Sequence, residues 1–149
     1  MSAHAHTDDW IEQAEATLAA AGHKRGGARR ALLELLDAQQ CALTAVEIED
    51  SLRAAQRRVS RASVYRILDE LEQLRLVQRV ETGQAMVRYE RVCSEAEHHH
   101  HLVCDDCGLV MPFSDEALEL AISSLSSRVP LTVSEHEIVL RGSCASCSD

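Results

Sequence analysis

The chain has 149 residues, 46% of them hydrophobic, enough for a core in one large domain or two small ones. No apolar run approaches the roughly 18 residues of a membrane-spanning helix, and only 3% of residues are aromatic, so the core must be aliphatic. The net charge of −9 argues against a nucleic-acid partner only if it is spread evenly, and it is not: residues 1–92 carry 13 Lys and Arg against 14 Asp and Glu, whereas residues 93–149 carry 2 against 10.

The first half reads as helical. The stretch DDWIEQAEATLAAAG opens on acids, which suit a helix N-terminus, and closes on Gly22. In GARRALLELLDAQ, Leu32, Leu33, Leu35 and Leu36 recur at helical spacing. TAVEIEDSLRAA places Glu47 three residues after Thr44, the signature of a capping box. SRASVYRILDELEQLRL has Ser60 as its cap and an apolar stripe of Val64, Ile67, Leu68, Leu71 and Leu74. Arg61, Ser63 and Arg66 lie off that stripe. Between Ser51 and Leu68 there are five arginines (53, 57, 58, 61 and 66) and no acid.

The period then changes. LVQRVETGQAMVRYE holds two short β-prone runs around Thr82-Gly83-Gln84, which predicts a hairpin. Three or more helices followed by a two-stranded ribbon is the order of a winged helix-turn-helix, with the recognition helix over residues 60–73 and the hairpin as wing. Residues 91–98 are polar and acidic and read as a linker. This divides the chain into 1–92 and 93–149.

The second half alternates. HHHHLVC and GLVMPF read as strands, SDEALELAISSLSSRV as a helix capped by Ser114, and LTVSEHEIVLRGSC as a strand carrying His136. The fold class is therefore α+β: a winged-helix domain followed by a small α/β domain. The N-terminus, MSAHAHTDDW, has neither a basic nor an apolar leader region, so a cytoplasmic location is expected.

In a cytoplasmic chain, close cysteine pairs read as metal sites rather than disulfides. Cys104, Cys107, Cys144 and Cys147 form two Cys-x-x-Cys knuckles with 36 residues between the pairs. Four thiolates at such spacing suit one tetrahedral Zn²⁺ and leave no open position, so this ion is structural. Just ahead stand His98, His99, His100 and His101. On a strand, side chains alternate faces, so His98 and His100 point one way and His99 and His101 the other. One segment then feeds two metal sites. Glu119 and His136 are candidates to join the first pair. Glu90, Cys93 and Cys41 are candidates to join the second.

Together these residues resemble the ferric uptake regulator family, from about Gly22 to Cys147. SRASVYRILDELEQLRLV, with Ser63-Val64-Tyr65-Arg66 at its centre, is similar to that family's DNA-reading helix. HHHHLVCDDCG resembles its HHHxHLxCxxCG motif, and the C-terminal Cys-x-x-Cys follows in order. The resemblance implies a homodimeric, metal-dependent transcription repressor that binds a pseudo-palindromic double-stranded DNA operator and no membrane. By it, Cys104, Cys107, Cys144 and Cys147 match the structural zinc ligands. His98, His100, Glu119 and His136 match a metal site in the dimerisation domain. His99 and His101 match two ligands of the interdomain sensing site, with Glu90 and Cys93 as the other candidates. Tyr65 and Arg66 match the recognition helix, and Arg29 an arginine near the start of the second helix. Arg61 and Ser63 are expected in or beside the major groove, and Arg53, Arg57 and Arg58 on phosphate.

The chain also departs from that family. Where many members carry a histidine before the third helix, this chain has Cys41 and Ala42. Gln78 or Arg79 stands where zinc-sensing members (the zinc uptake regulators) use an aspartate. Cys93, in contrast, is a zinc-branch feature. A thiolate beside imidazoles favours Zn²⁺ over Fe²⁺ as the regulatory ion. The alternatives are an iron- or peroxide-responsive regulator of the same family, or a zinc-dependent hydrolase. The chain lacks an HExxH motif for hydrolysis and any phosphate-binding loop, so an enzyme is not expected.

Overall fold

The computed structural model describes residues 7–39, 41–83, 86–92 and 98–148. The chain falls into two compact units, Met1–Val92 and Cys93–Asp149. Among the described residues no helix is long and apolar enough to cross a membrane.

In the first unit, α1 (Thr7–Ala20) ends where the sequence places its stop. Gly22 adopts φ +87°, His23 N donates to Leu18 O and Gly22 N to Ala19 O, a paired closure that satisfies the last carbonyls. Next come α2 (Gly27–Ala38), β1 (Leu43–Thr44), α3 (Ala45–Ala54) and α4 (Arg61–Gln73). The capping box forms: Glu47 N donates to the Thr44 hydroxyl at 3.1 Å, and Thr44 N donates to the Glu47 carboxylate at 2.8 Å. Ser60 caps α4 by accepting from Ser63 N. β2 (Val77–Glu81) and β3 (Val87–Arg91) pair antiparallel as the hairpin, whose turn residues Gln84 and Ala85 lie outside the described residues.

The core of this unit is aliphatic. Leu32, Leu33 and Leu36 of α2, Ile48 and Leu52 of α3, and Val64, Ile67, Leu68 and Leu71 of α4 are all buried, joined by Trp10, Val77 and Tyr89. Ten or so buried side chains of this size, each contributing about 1.5–3 kcal/mol, hold the helices against the ribbon. β1, which the sequence reading did not foresee, adds a third strand in the order β1-β3-β2, with Leu43 opposite Tyr89. Three helices closed by a small antiparallel sheet make a winged helix-turn-helix.

Two turns close without glycine. Gln56 (φ +59°) and Arg75 (φ +56°) take the left-handed conformation at the ends of α3 and α4. Neither residue type signals it, and each costs about 1 kcal/mol or more.

The second unit contains β4 (His100–Cys104), β5 (Val110–Phe113), α5 (Glu116–Ser126) and β6 (Val139–Gly142), with strand order β5-β4-β6. β5 runs antiparallel to β4, and β6 parallel to it. Three expectations need correction. The His strand begins at His100, so His98 and His99 precede the ladder. Ser114 does not cap α5; Asp115 does, accepting from Leu118 N at 2.8 Å, and its carboxylate is the stronger acceptor at a helix N-terminus. The long last strand is reduced to Val139–Gly142, because β4 offers ladder partners only from His101 to Cys104. His136 therefore lies in the irregular segment before β6. Of the expected linker, residues 93–97 lie outside the described residues.

Candidate metal centres and nucleic-acid interface

The parallel pairing of β4 with β6 brings their C-terminal ends to one edge, with Cys104 opposite Gly142. Each strand runs straight into a Cys-x-x-Cys turn. Gly108, at φ +75°, donates to Cys104 O, and Cys147 N donates to Cys144 O. The four cysteine sulfurs lie within 4.8 Å of one another, with Cys107 and Cys144 Sγ 3.8 Å apart. Zinc–thiolate bonds of about 2.3 Å require tetrahedral edges of about 3.8 Å, so the donors fit zinc. The two turns are also stitched together. Asp105 N donates to Gly142 O, Cys144 N to Cys104 Sγ, Arg141 to Asp105 and Ser143 to Asp106.

The sulfurs differ in basicity. Backbone N–H groups of Cys107 and Cys144 draw the Cys104 thiol down to about 6. At Cys107 the Leu109 N–H lowers the pKa, but the Cys104 sulfur, burial and the Cys144 sulfur outweigh it and the net shift is upward. Cys147, beside the Cys144 and Cys107 sulfurs, is pushed up to about 12. Crowded thiols resist ionising together until a cation is present.

On one side of β4, His98, His100, Glu119 and His136 converge with donor atoms within 4.8 Å. His100 Nε2 lies 2.6 Å from Glu119 Oε1, His136 Nε2 lies 2.9 Å from Glu119 Oε2, and His98 and His136 Nε2 are 3.2 Å apart. These approach the edges, about 3.3 Å, of a tetrahedron with 2.0–2.1 Å metal–nitrogen bonds, so the donor set fits a divalent ion. Glu119 comes from the first turns of α5, and His136 from the segment that leads into β6. The hydrogen bond from His100 holds the Glu119 carboxyl below its usual range, and burial together with His100 and His136 lowers His98, so Glu119 is anionic and His98 neutral near pH 7. Ile138 N donates to His100 Nδ1 at 3.2 Å, which puts the ring proton of neutral His100 on Nε2. Metal binding through Nε2 has to break this bond.

The other pair behaves as the strand geometry predicts. His99 and His101 face each other with ring centroids 5.1 Å apart. Glu137, which sequence reasoning did not single out, brings its carboxylate to 3.7 Å from His101 Nδ1. Its only signal was its position next to His136. Of the other residues considered, Glu90 is on β3 and accepts a 2.7 Å hydrogen bond from Gln78 Nε2, its cross-strand partner. Cys41 is half-buried in the loop ahead of β1. Cys93 lies outside the described residues.

In the first unit, α4 buries Val64, Ile67, Leu68 and Leu71 and turns Arg61, Tyr65 and Arg66 to solvent. Arg57 and Arg58 are exposed in the turn before it. Arg57 reaches back to Glu34 at 3.1 Å, and Arg61 donates its Nε to Glu49 at 2.7 Å. Ser63 is half-buried, its hydroxyl accepting from Ser60. Arg29 is already engaged within the fold: its Nε and Nη2 hold Glu70 of α4 at 2.9 and 2.7 Å, and its Nη1 donates to Lys24 O.

Comparison with known proteins agrees with this geometry. The model of the ferric uptake regulator family matches residues 20–141. The ferric uptake regulation protein of Vibrio cholerae is 31% identical over 127 residues, covering 81% of this chain and 82% of that protein. Among solved structures, the Helicobacter pylori ferric uptake regulator, described as having three functional metal-binding sites, superposes with a TM-score of 0.82 at 26% identity, covering 96% of this chain and 94% of that one. The Vibrio cholerae ferric uptake regulator superposes with a TM-score of 0.75 at 30% identity, covering 85% and 96%.

Proposed function

The chain belongs to the ferric uptake regulator family, a family of metal-responsive, DNA-binding transcription regulators rather than enzymes, and from that premise we propose that it is a zinc-responsive repressor. The observation that carries the metal-dependent reading is one short strand whose histidines serve two faces, in the same chain as a helix that exposes Arg61, Tyr65 and Arg66. In this reading Cys104, Cys107, Cys144 and Cys147 hold a structural Zn²⁺, which ties the ends of β4 and β6. His98, His100, Glu119 and His136 hold a second divalent ion. The regulatory ligands carried over from the resemblance are His99, His101, Glu90 and Cys93, and the thiol among them favours zinc.

A homodimer on double-stranded DNA follows from the family. It is supported by the apolar surface of the second unit: Leu109, Met111, Leu120, Leu125, Leu131 and Leu140 are exposed, and α5 buries no side chain. A C₂ dimer presents two α4 helices and reads a pseudo-palindrome, with Tyr65, Arg66, Arg61 and Ser63 toward the major groove and Arg57 and Arg58 toward phosphate, while Arg29, a DNA contact by the resemblance, is held instead by Glu70 and Lys24 O. Such a protein works in the cytoplasm, where the DNA is. Metal acts by binding the DNA-competent state more tightly than its alternatives.

Iron is the second reading, favoured by the relatives named ferric uptake regulation proteins. DNA retention at buffered free Zn²⁺, Fe²⁺ and Mn²⁺ separates the two. Zinc response predicts operator binding that rises with free Zn²⁺ at levels where Fe²⁺ has no effect. Retention that ignores every metal would sink both readings.

A further inference from the structure

We propose that Glu49 is a specificity-determining positioning residue, a buttress that holds Arg61 so that the outer fork of its guanidinium faces DNA. The proposal rests on the reading of α4 as the DNA-reading helix.

Two of the arginines near α4 share the Glu49 carboxylate, and they use it differently. Arg53, one turn along α3, donates Nη2 to Glu49 at 2.9 Å and Nη1 to Asp50 at 3.1 Å, so both arms of its fork, though at the surface, are engaged by carboxylates of α3 itself. Arg61, at the first position of α4, donates Nε to Glu49 at 2.7 Å. That bond fixes the guanidinium from its inner edge and leaves Nη1 and Nη2 as a parallel pair of donors on the outer edge. This pair is the geometry that grips a guanine O6 and N7, or a phosphate, in two bonds.

The burial of the two partners agrees with that division. The Glu49 side chain is 12% exposed and that of Arg61 63%. The carboxylate is thus a fixed point on α3, and the guanidinium is the part that reaches outward. Tyr65, one turn further along α4, is also exposed and shares the Arg61 face. The Arg61 hydrogen bond keeps Glu49 ionised, lowering its pKa, and Glu49 raises that of Arg61. A long arginine side chain left loose would lose its rotamer freedom only on binding; one already clamped has less to lose.

The opposite role, a mask that competes with DNA for Arg61, makes different predictions. A mask works through its negative charge, whereas a buttress works through an acceptor atom at a fixed place. Glu49→Gln removes the charge and keeps an acceptor oxygen. Glu49→Ala removes both, and Glu49→Leu does so at similar volume if Ala disturbs the α3–α4 contact.

The test selects duplexes from a randomised pool on the zinc-loaded wild-type protein. It then measures binding of each variant to the enriched duplex and to unselected genomic DNA, with thermal melting as a check on folding. A buttress predicts that Glu49→Ala and Glu49→Leu lower the ratio of selected to unselected affinity about tenfold, within the range for one bidentate base contact. Glu49→Gln keeps most of that ratio, and Arg61→Ala with Glu49→Ala is no worse than Arg61→Ala alone. Stronger binding to both DNAs in Glu49→Ala and Glu49→Gln alike overturns the buttress in favour of the mask. If Arg61→Ala lowers the ratio and Glu49→Ala does not, the buttress fails while the DNA-reading helix stands. If Arg61→Ala changes nothing, Arg61 does not read DNA and the proposal falls with that reading.

Discussion

Loading zinc into the four-cysteine cluster should release at least two protons per ion at about pH 7, and the structure says which sulfurs supply them. Cys104, held at about 6 by backbone N–H groups, is already mostly thiolate and supplies almost none. Cys147, at about 12, and Cys107, raised above its ordinary value, keep their protons until the metal displaces them. The sign follows: protons compete with zinc, so affinity rises with pH. At least two displaced protons, at tenfold each, give at least about a hundredfold per pH unit between pH 7 and the Cys107 transition. Calorimetry of the zinc-free protein in buffers of different protonation enthalpy counts the protons directly. Replacing Cys104 by Ser should weaken binding yet leave the count unchanged, whereas replacing Cys147 by Ser should lower it by one. A wild-type count of one or less, or equal changes in the two variants, would refute the assignment of unequal sulfurs.

Other consequences are equally direct. Glu119→Ala removes the carboxylate shared by His100 and His136, so metal content should fall by one ion per chain while the four-cysteine zinc is retained; mass spectrometry under native conditions reads this out. Arg29→Ala should destabilise the first unit by about 1–3 kcal/mol, because it takes two donors from the Glu70 carboxylate and leaves it His23 Nδ1 at 3.7 Å. If melting is unchanged and only DNA binding drops, Arg29 is a DNA contact and not a tie between α2 and α4. Thr44→Ala should cost about 1 kcal/mol through loss of the capping box, seen as a lower denaturation midpoint with an unchanged slope. Leu120→Glu on the exposed face of α5 should shift the protein from dimer to monomer in sedimentation without lowering its helical content.

Much of this molecule could be read before its coordinates. The helices of the first unit, the capping box at Thr44, the Ser60 cap and the stop at Gly22 depend on interactions within a few residues, and local spacing carries them. The Cys-x-x-Cys pairs are local too, and so is the alternation of the histidines along an extended segment. Apart from the α5 cap, where Asp115 stands in place of Ser114, the errors fall where an element is defined by what lies across from it. β1 is two residues long and exists only because β3 offers it partners. The last strand shrinks to four residues because β4 can pair with no more of it.

Sequence by itself determined the inventory: two thiol pairs, a run of imidazoles, an arginine-bearing helix with an apolar underside, and a charge imbalance between halves. Tertiary structure decided which members of that inventory meet. Parallel pairing of β4 with β6 sets the two thiol turns side by side and brings His136, just ahead of β6, to His98, 38 residues away, while α5 supplies Glu119 to His100, 19 residues away. Packing of α3 against α4 gives Arg61 its carboxylate. The physical reason is one of range: helix caps and side-chain periodicity act over one or two turns, whereas a ligand set or a clamped arginine is fixed by ladder register and helix packing, which no short window of residues contains.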